Sequence, residues 1–277
     1  MSKRWGRVFA GAVKAATVPQ KTWRRAASRL RVAEELVQRH WIETRRGRIL
    51  FVSPQARALE YPRDFMTREP EMLDWIDSFE TPCTYWDIGA NVGSYVLYAA
   101  LEPKVMTYAF EPSPSNYLAL CVNVYENGRQ DNVRAYCLAF DDRMNLATLD
   151  MADFSAGAFG HSFGNDPTVP RPEHKTIFHQ PALGFSIDGF REIYGVAAPN
   201  YLKLDIDGNE DKVLAGATKT LADRTLRGIV IEVDKEGPRT DALFKTLEGS
   251  GFRFVRWGVY HGLGTINAEF ARPASAP

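Results

Sequence analysis

The chain has 277 residues, of which 45% are hydrophobic and 25% are charged, so it can bury a large core and is not intrinsically disordered. No apolar run approaches the roughly 18 residues that a membrane-spanning helix needs, which argues against an integral membrane protein. The cysteines, Cys83, Cys121 and Cys137, are odd in number and lack C-x-x-C spacing. They therefore predict reduced thiols in a cytoplasmic protein.

The net charge of zero hides an uneven distribution of charge along the chain. Residues 1–48 contain 13 Lys and Arg side chains against three Glu, a balance of +10, so residues 49–277 sum to −10. From this asymmetry and the patterns below we predict a basic, mainly helical extension over residues 1–66. An α/β domain follows over residues 67–272, with a short tail over residues 273–277.

The first stretch has the periodicity of an amphipathic helix that ends at Pro19. Its apolar face carries Trp5, Val8, Phe9, Ala12, Val13 and Ala16, and its opposite face carries Lys3, Arg4, Arg7 and Lys14. This combination predicts peripheral contact of residues 1–17 with an anionic membrane, at its inner face. The alternatives are a helix that docks on its own domain or on a partner, and an organellar transit peptide.

Between this helix and the α/β domain, the sequence predicts a second helix over Val32–Ile42, a turn over residues 45–48 and a strand over Ile49–Val52. A further helix begins at Glu69-Pro70-Glu71, because proline suits the first helical turn and acidic side chains favour a helix N-terminus. Its buried stripe consists of Met72, Trp75, Ile76 and Phe79.

The α/β domain is organised around the stretch from Tyr85 to Ser94, which we call the elbow. An apolar run ends at Asp87, turns through Gly89 and Gly93, and continues as a helix. The two glycines allow a tight turn and the close approach of a ligand to the free N–H groups of the first helical turn. The elbow therefore predicts a nucleotide-binding site.

The next apolar run, Val105–Phe110, ends at Glu111, where the second strand of a βαβ unit places an acid for ribose hydroxyls. The spacing is D-x-G-x-x-x-G, not the G-x-G-x-x-G of dinucleotide-binding proteins, and Asn91 stands where a middle glycine would meet a diphosphate. Asp87 suits the amino group of an amino-acid moiety. These features predict S-adenosylmethionine (SAM) as the cofactor, and the alternative is a turn that binds nothing. The expected contacts are Asp87, Gly89, Ala90, Asn91, Gly93, Glu111, Pro112, Leu138, Ala139 and Asp205.

Beyond the elbow, helical and strand patterns alternate along the chain, which predicts a mostly parallel sheet with helices on both faces. Ligands of such a sheet bind at the C-terminal ends of its strands. The predicted helices are 113–126, 186–194, 209–221 and 240–247, and the predicted strands are 133–139, 201–206, 229–233, 252–255 and 266–270. The exception is Asp141–Leu183, which has little periodicity and is predicted to be a lid or an acceptor-binding insert.

The elbow motif Asp87-Ile88-Gly89-Ala90-Asn91-Val92-Gly93 is followed by Ala109-Phe110-Glu111-Pro112 and by Lys203-Leu204-Asp205-Ile206-Asp207-Gly208-Asn209-Glu210. Together with residues 213–217 and Ile231-Glu232, these motifs resemble the FkbM family of SAM-dependent methyltransferases over roughly residues 69–235. The resemblance implies a class I methyltransferase (Rossmann-like) fold and O-methylation of a hydroxyl on a sugar, a glycolipid or a polyketide-type product. Asp207 departs from the glutamate that is usual in the family, which leaves the acceptor preference open.

The end of the fourth strand carries three charged residues at alternate positions, Lys203, Asp205 and Asp207. Alternate side chains of a strand point to the same side, so these three should face one region. We predict that Asp205 acts as the base or the orienter of the acceptor hydroxyl, because an alcohol must lose its proton to attack. Glu210 either assists or stabilises the next helix N-terminus, and Lys203 alternatively neutralises Asp205 or Glu232. The predicted catalytic set is Asp205, Lys203, Asp207, Glu210 and His161.

The insert contains further histidines, His174 and His179, as alternative bases, whereas His40 and His261 are expected to be structural. Carboxylates at this strand end could also hold Mg²⁺, but no ligand spacing is diagnostic, so no metal is predicted. Two other functions stay open. One is a nucleic-acid methyltransferase that uses the basic arm, although an Asn/Asp-Pro-Pro-Tyr loop is missing. The other is a non-catalytic SAM-fold binding protein, against which the complete acidic cluster argues.

Overall fold

The computed structural model describes residues 2–53, 55–164, 175–237, 239–259 and 264–273, with side chains from Trp5 onward. The helices are α1 (Ser2–Ala16), α2 (Thr22–Glu35), a 3-10 helix (Ala56–Leu59), α3 (Glu60–Arg68), α4 (Pro70–Asp77), α5 (Ser94–Ala100), α6 (Pro114–Glu126), α7 (Ile187–Tyr194), α8 (Glu210–Ala215), α9 (Thr218–Ala222) and α10 (Thr240–Gly249). The strands are β1 (Gln38–Thr44), β2 (Gly47–Ser53), β3 (Cys83–Ile88), β4 (Val105–Phe110), β5 (Val133–Tyr136), β6 (Ala139–Phe140), β7 (Asn145–Met151), β8 (Ser162–Phe163), β9 (Phe178–Phe185), β10 (Tyr201–Leu204), β11 (Gly228–Asp234), β12 (Arg253–Trp257) and β13 (Thr265–Ala271).

The main sheet has seven strands in the order β12-β13-β11-β10-β3-β4-β5. Strands β3, β4, β5, β10 and β11 are parallel, whereas β13 runs antiparallel to both β11 and β12. Lys203 on β10 lies opposite Asp87 on β3, so the predicted functional residues of these two strands meet at one edge of the sheet. The prediction of a mostly parallel α/β sheet is confirmed.

Helices cover both faces of this sheet. Because consecutive residues of a strand point to opposite sides, neighbouring side chains of β3 are buried in two different clusters. Tyr85 on β3 packs with Trp75 of α4 and Leu97 of α5 in one cluster. Its neighbour Trp86 packs on the other face with Phe190 of α7. Burial of each such large side chain contributes roughly 1.5–3 kcal/mol, so the strand ends are held by packing from two sides.

The region before the α/β unit differs in part from the prediction. Helix α1 lies where the amphipathic pattern indicated, but the second helix spans Thr22–Glu35, and the prediction of a helix over Val32–Ile42 is wrong. Residues 38–44 pair instead with Gly47–Ser53 as an antiparallel hairpin. The reason is tertiary: the hairpin buries Ile42 against the α/β unit, and such packing overrides a local helical pattern.

The hairpin is joined to α6 by buried amide contacts. The Leu50 amide donates to Asn127 Oδ1 (2.8 Å), and the Val52 amide donates to Asn123 Oδ1 (2.9 Å). Asn123 Nδ2 in turn donates to the Val92 carbonyl oxygen in the elbow (2.9 Å). Part of the predicted extension therefore supports the elbow. The boundary at residues 66 and 67, which falls within α3, stays a prediction.

Three further elements differ from their predicted bounds. The third strand ends at Tyr136, and Ala139 pairs with Gly184 in a second sheet. The fourth strand ends at Leu204, two residues early. The helix predicted over residues 209–221 is two short helices, α8 and α9, and between them Gly216 packs so closely that a Cβ would lie 2.5 Å from the Asp141 carbonyl oxygen.

Strands β7 and β8 and most of β9 lie in the insert, and with β6 just before it they form a second sheet of four strands in the order β6-β9-β7-β8. Strands β7 and β9 pair in continuous antiparallel register, and their inner side chains bury Leu149, Met151 and Ala182 with Phe163. The insert therefore contains regular strands although its sequence shows little periodicity, and its role as a lid or an acceptor-binding insert stays a prediction. His174 and His261 lie outside the described residues.

None of the helices in the described ranges is both long and apolar enough to cross a membrane.

Candidate active site

The elbow is pressed directly against the end of β10. Gly89 has a φ of 84°, and a Cβ built on it would lie 1.7 Å from the Asp205 carbonyl oxygen. The Asp205 amide also donates to the Ile88 carbonyl oxygen (3.1 Å). Gly93 has a φ of 89°, and its Cβ would lie 2.5 Å from Leu120 Cδ1. Both glycines are required by close approach and by a left-handed backbone.

Glu111 ties the end of β4 to the elbow. Its Oε2 accepts from the Asn91 amide and its Oε1 accepts from the Ser113 amide, both at 2.8 Å. Burial raises the pKa of Glu111 to about 7, although these two amides oppose the shift. The contact helps to hold Asn91 at a φ of 49°, an uncommon backbone angle for a residue other than glycine. The acid thus stands at the predicted strand end, with acceptor capacity left on each oxygen.

Lys203 lies between two carboxylates at the ends of neighbouring strands. Its Nζ is 3.4 Å from Asp87 Oδ1 and 2.9 Å from Asp205 Oδ2. Burial alone would lower the pKa of Lys203, but the charges of Asp205 and Asp87 raise it above the ordinary value. Burial also raises the pKa of Asp87, which Lys203 opposes. Lys203 therefore stays protonated and cannot act as a base, whereas Asp205 remains one-third exposed.

Asp207 and Glu210 shape the turn that follows β10. Asp207 has a φ of 60° and its Oδ2 accepts from the Gly160 amide (2.7 Å). Burial and the charge of Asp205 raise the pKa of Asp207 to about 6. Glu210 Oε1 accepts from the Ile206 and Gly208 amides (3.3 and 3.1 Å), and burial raises the pKa of Glu210 to about 7. Glu210 therefore stabilises the turn and the start of α8.

Residues 153–161 of the insert, which we call the strap, cross the crevice between the elbow and this turn. The Ala158 carbonyl oxygen accepts from Asn91 Nδ2 (3.0 Å) at one side, and the Gly160 amide reaches Asp207 at the other. His161 belongs to the strap and is buried. Its ring Nδ1 accepts from the Ala152 amide (3.4 Å), and burial lowers its pKa to about 4. The backbone of His161, and not its ring, hydrogen-bonds to the Asp207 carboxylate.

The remaining predicted residues lie at the other side of the elbow. Leu138 and Ala139 are buried after β5, and the Pro112 carbonyl oxygen accepts from Gln180 Nε2 (3.3 Å). His179 is paired with the Asp150 carboxylate at 2.6 Å, in the second sheet.

Three polar residues near the site were not selected from the sequence. Asn116 on α6 is buried and bonded to the strap, Tyr61 on α3 donates to the Gly157 carbonyl oxygen (3.3 Å), and Glu69 accepts from Tyr95 and from Asn267 Nδ2 (2.8 Å). Asn116 carried a usable signal, since an amide on the apolar side of a helix needs a buried partner. The sequence contains no comparable signal for Tyr61 or Glu69.

Several polar atoms of the elbow are buried without a hydrogen-bond partner among the described residues. They are Asn91 Oδ1 and Ser94 Oγ, whereas Asp87 Oδ1 lies in the ion pair with Lys203 at 3.4 Å. Buried polar groups are rarely left unpaired unless a ligand or water meets them. An elbow with free acceptors beside Glu111 fits an amino-acid moiety and a ribose. The described ranges contain no group of three or more His, Cys, Asp or Glu side chains arranged for a metal ion.

The strand order, the reversed β13 and the acid-flanked elbow define a class I methyltransferase with a Rossmann-like fold. The crystal structure of Methyltransferase FkbM from Methylobacillus flagellatus KT shares this fold, with a TM-score of 0.50 and 12% sequence identity, over 78% of this chain and 55% of that chain.

Residues 87–254 match the family described as the Methyltransferase FkbM domain. The chain is 30% identical to 31-O-demethyl-FK506 methyltransferase FkbM of Streptomyces tacrolimicus, over 61% of this chain and 72% of that protein. It is 26% identical to hexuronic acid methyltransferase AglP of Haloferax volcanii, over 62% of this chain and 64% of that protein. The chain belongs to the FkbM family and is a SAM-dependent methyltransferase.

The substitution Glu210→Gln should change how stability depends on pH. The pKa of Glu210 rises from 4.5 to about 7 in the folded state. The folded protein therefore binds more protons in this window, and Glu210 makes it less stable as the pH rises from about 4.5 to about 7. Glutamine keeps the acceptor oxygen but does not titrate.

Relative to the wild type, Glu210→Gln should gain unfolding free energy on the order of 1–3 kcal/mol between about pH 4.5 and pH 8. Urea denaturation at both pH values measures this gain. The exposed Glu248→Gln on α10 is the matched control and should show no such gain. A pH-independent difference for Glu210→Gln would contradict the assignment.

Proposed function

We propose that this methyltransferase transfers the methyl group of SAM to a hydroxyl of a sugar, a glycolipid or a related small molecule. The observation that carries this proposal is the row Asp87, Lys203 and Asp205 at adjoining strand ends, beside the elbow held by Glu111. The names of two relatives support it, since one denotes a 31-O-demethyl acceptor and the other a hexuronic acid.

The elbow would hold the cofactor. Asn91 and Ser94 have buried unpaired oxygens for the amino-acid end, beside the Asp87 carboxylate, and Glu111 has free lone pairs for the ribose. Backbone at Gly89, Ala90, Gly93 and Pro112 would border the ligand, and Leu138 and Ala139 would lie against the adenine. When bound, SAM supplies an electrophilic methyl group on a positively charged sulfur.

Asp205 is the residue we assign to the acceptor. Its carboxylate is partly exposed and hydrogen-bonded to Lys203, so one orientation is fixed and room remains for a hydroxyl. The hydroxyl proton would pass to Asp205 as the acceptor oxygen takes up the methyl group that bound SAM would supply. Proton removal in the transition state suits a positioned carboxylate of this kind. Asp207 and Glu210 maintain the turn, and His161 maintains the strap.

The substitution Glu111→Ala should weaken SAM binding. Loss of hydrogen bonds from a carboxylate to ribose hydroxyls removes about 1.5–3 kcal/mol, which corresponds to a roughly 10- to 100-fold rise in Kd. Isothermal titration calorimetry with SAM measures the change, and Glu192→Ala on the exposed face of α7 is the control. Undiminished affinity in Glu111→Ala would refute the assignment of Glu111 to the cofactor.

The substitution Asp205→Asn should reduce turnover by about 10²- to 10⁴-fold, because the amide no longer takes up the proton. SAM affinity should change much less. The assay follows labelled methyl from SAM into fractionated glycan, lipid and RNA pools, which also identifies the acceptor class. The exposed Asp241→Asn on α10 is the control. Wild-type turnover in Asp205→Asn would remove Asp205 from the mechanism, and label in RNA alone would overturn the proposed acceptor.

We also propose that residues 1–17 contact the anionic inner face of a membrane, on the cytoplasmic side. Trp5, Val8 and Phe9 on α1 are all more than half exposed, and the rings of Trp5 and Phe9 lie 6.4 Å apart. No described side chain within α1 is buried. An apolar strip with aromatic rings on a helix rich in Lys and Arg suits the boundary of an anionic lipid headgroup layer.

The double substitution Trp5→Ser and Phe9→Ser should lower partitioning to vesicles that contain phosphatidylglycerol by about 10-fold or more, since it removes two large apolar anchors. Vesicle sedimentation of the full chain measures this. Leu118→Ser with Tyr125→Ser, on the exposed side of α6, is the matched control. Equal binding by the α1 variant, or binding of RNA without binding of vesicles, would refute membrane contact.

A further inference from the structure

The strap connects two residues with an uncommon backbone angle. Asn91 and Asp207 are the residues other than glycine that have a positive φ in the described part of the chain, at 49° and 60°. Asn91 donates to the strap at Ala158, and Asp207 accepts from it at Gly160. Residues in such conformations persist when their surroundings hold them. The strap is therefore positioned to hold the elbow, where the cofactor is proposed to bind, and the turn after β10, where the acceptor is proposed to bind, in one fixed arrangement.

A segment before the family match holds the strap from outside. This segment, Gln55–Tyr61, we call the latch. Arg57 Nη1 lies 2.6 Å from Asp153 Oδ2, and its guanidinium stacks 5.1 Å from the ring centre of Phe159. The Tyr61 hydroxyl donates to the Gly157 carbonyl oxygen.

Two further contacts complete the latch. Gln55 Oε1 accepts from the Ala156 amide. A Cβ on Gly157 would lie 2.9 Å from the Ala58 Cα, so the two backbones touch. The latch therefore meets the strap along most of its length, through backbone as well as side chains.

Asn116 holds the strap from inside the domain. This side chain is buried, its Nδ2 donates to the Ala158 carbonyl oxygen (2.9 Å), and its Oδ1 accepts from the Gly157 amide (2.8 Å). Ala158 itself is fully buried, and so are Asp87 and Glu111 beneath this part of the site. The strap thus covers the elbow where the proposed cofactor lies.

We propose that Arg57 and Tyr61 are positioning residues that latch the strap over the bound cofactor, and that the latch must open for the cofactor to enter and leave. Asn116 sets the closed position of the strap. This inference rests on the proposed cofactor site. It assigns to residues outside the matched family domain a role in the rate of cofactor exchange. Contacts at the partly exposed rim, such as Arg57 with Asp153, are weak enough to break and re-form.

The test measures association and dissociation of S-adenosylhomocysteine by stopped-flow fluorescence in the full chain. In Arg57→Ala with Tyr61→Phe, both rate constants should rise about 3- to 10-fold, because the strap opens more often. The exchanged pair Arg57→Asp with Asp153→Arg should bring both rate constants back toward the wild type. Arg63→Ala, an exposed arginine on the neighbouring helix α3, is the control and should leave them unchanged.

Two results would overturn the inference while the proposed function stands. One is unchanged rate constants in the latch variant. The other is slower association in a variant whose unfolding curve matches the wild type, which would mean that the latch only preserves the shape of the site. If the wild-type chain binds neither SAM nor S-adenosylhomocysteine, the proposed cofactor site itself fails. Hydrogen exchange at the Gly157 and Gly160 amides should quicken in the latch variant and remain slow in Arg63→Ala.

Discussion

The site depends on one buried cation, the ammonium group of Lys203, held between Asp87 and Asp205. The three side chains meet because β10 and β3 pair in parallel, with Lys203 directly opposite Asp87. A buried charge without a partner is strongly unfavourable, and breaking a buried pair costs about 3–5 kcal/mol. The ammonium group therefore fixes the two strand ends relative to each other and keeps a negative carboxylate at each side of the crevice.

The other carboxylates around this cation differ in their protonation. Burial raises the pKa of Glu111 and of Glu210 to about 7, and burial with the charges of Asp205 and Asp207 raises that of Glu232 to about 10. Glu232 therefore keeps its proton at neutral pH and limits the negative charge of the cluster.

Much of this arrangement could be predicted from the sequence because it is local. The glycines of the elbow, Asp87 before them and Glu111 at the end of the next strand are each set by a short motif, and the parallel sheet follows from alternating helix and strand patterns. The spacing of Lys203 and Asp205 likewise placed both side chains toward one region. The assignment of roles to these residues remains a proposal.

The rest depends on contacts between distant parts of the chain. Residues 38–42 are predicted from the sequence as the end of a helix over Val32–Ile42, because a short apolar pattern does not reveal the hairpin partner that buries Ile42. Strands β7 and β9 pair over a separation of up to 39 residues, from Asn145 to Gly184, and the glycines, prolines and histidines between them conceal the alternation. The hydrogen bond from Tyr61 to Gly157 joins residues that are 96 positions apart in the sequence, so no local pattern points to the latch.

A crystal structure of the full chain with S-adenosylhomocysteine tests the central claim most directly. The account predicts the ribose hydroxyls within hydrogen-bond distance of Glu111, the amino group beside Asp87 and the sulfur facing the crevice next to Asp205. Two results would contradict it. One is a ligand bound away from the elbow, and the other is an elbow that stays empty and unchanged in crystals saturated with S-adenosylhomocysteine.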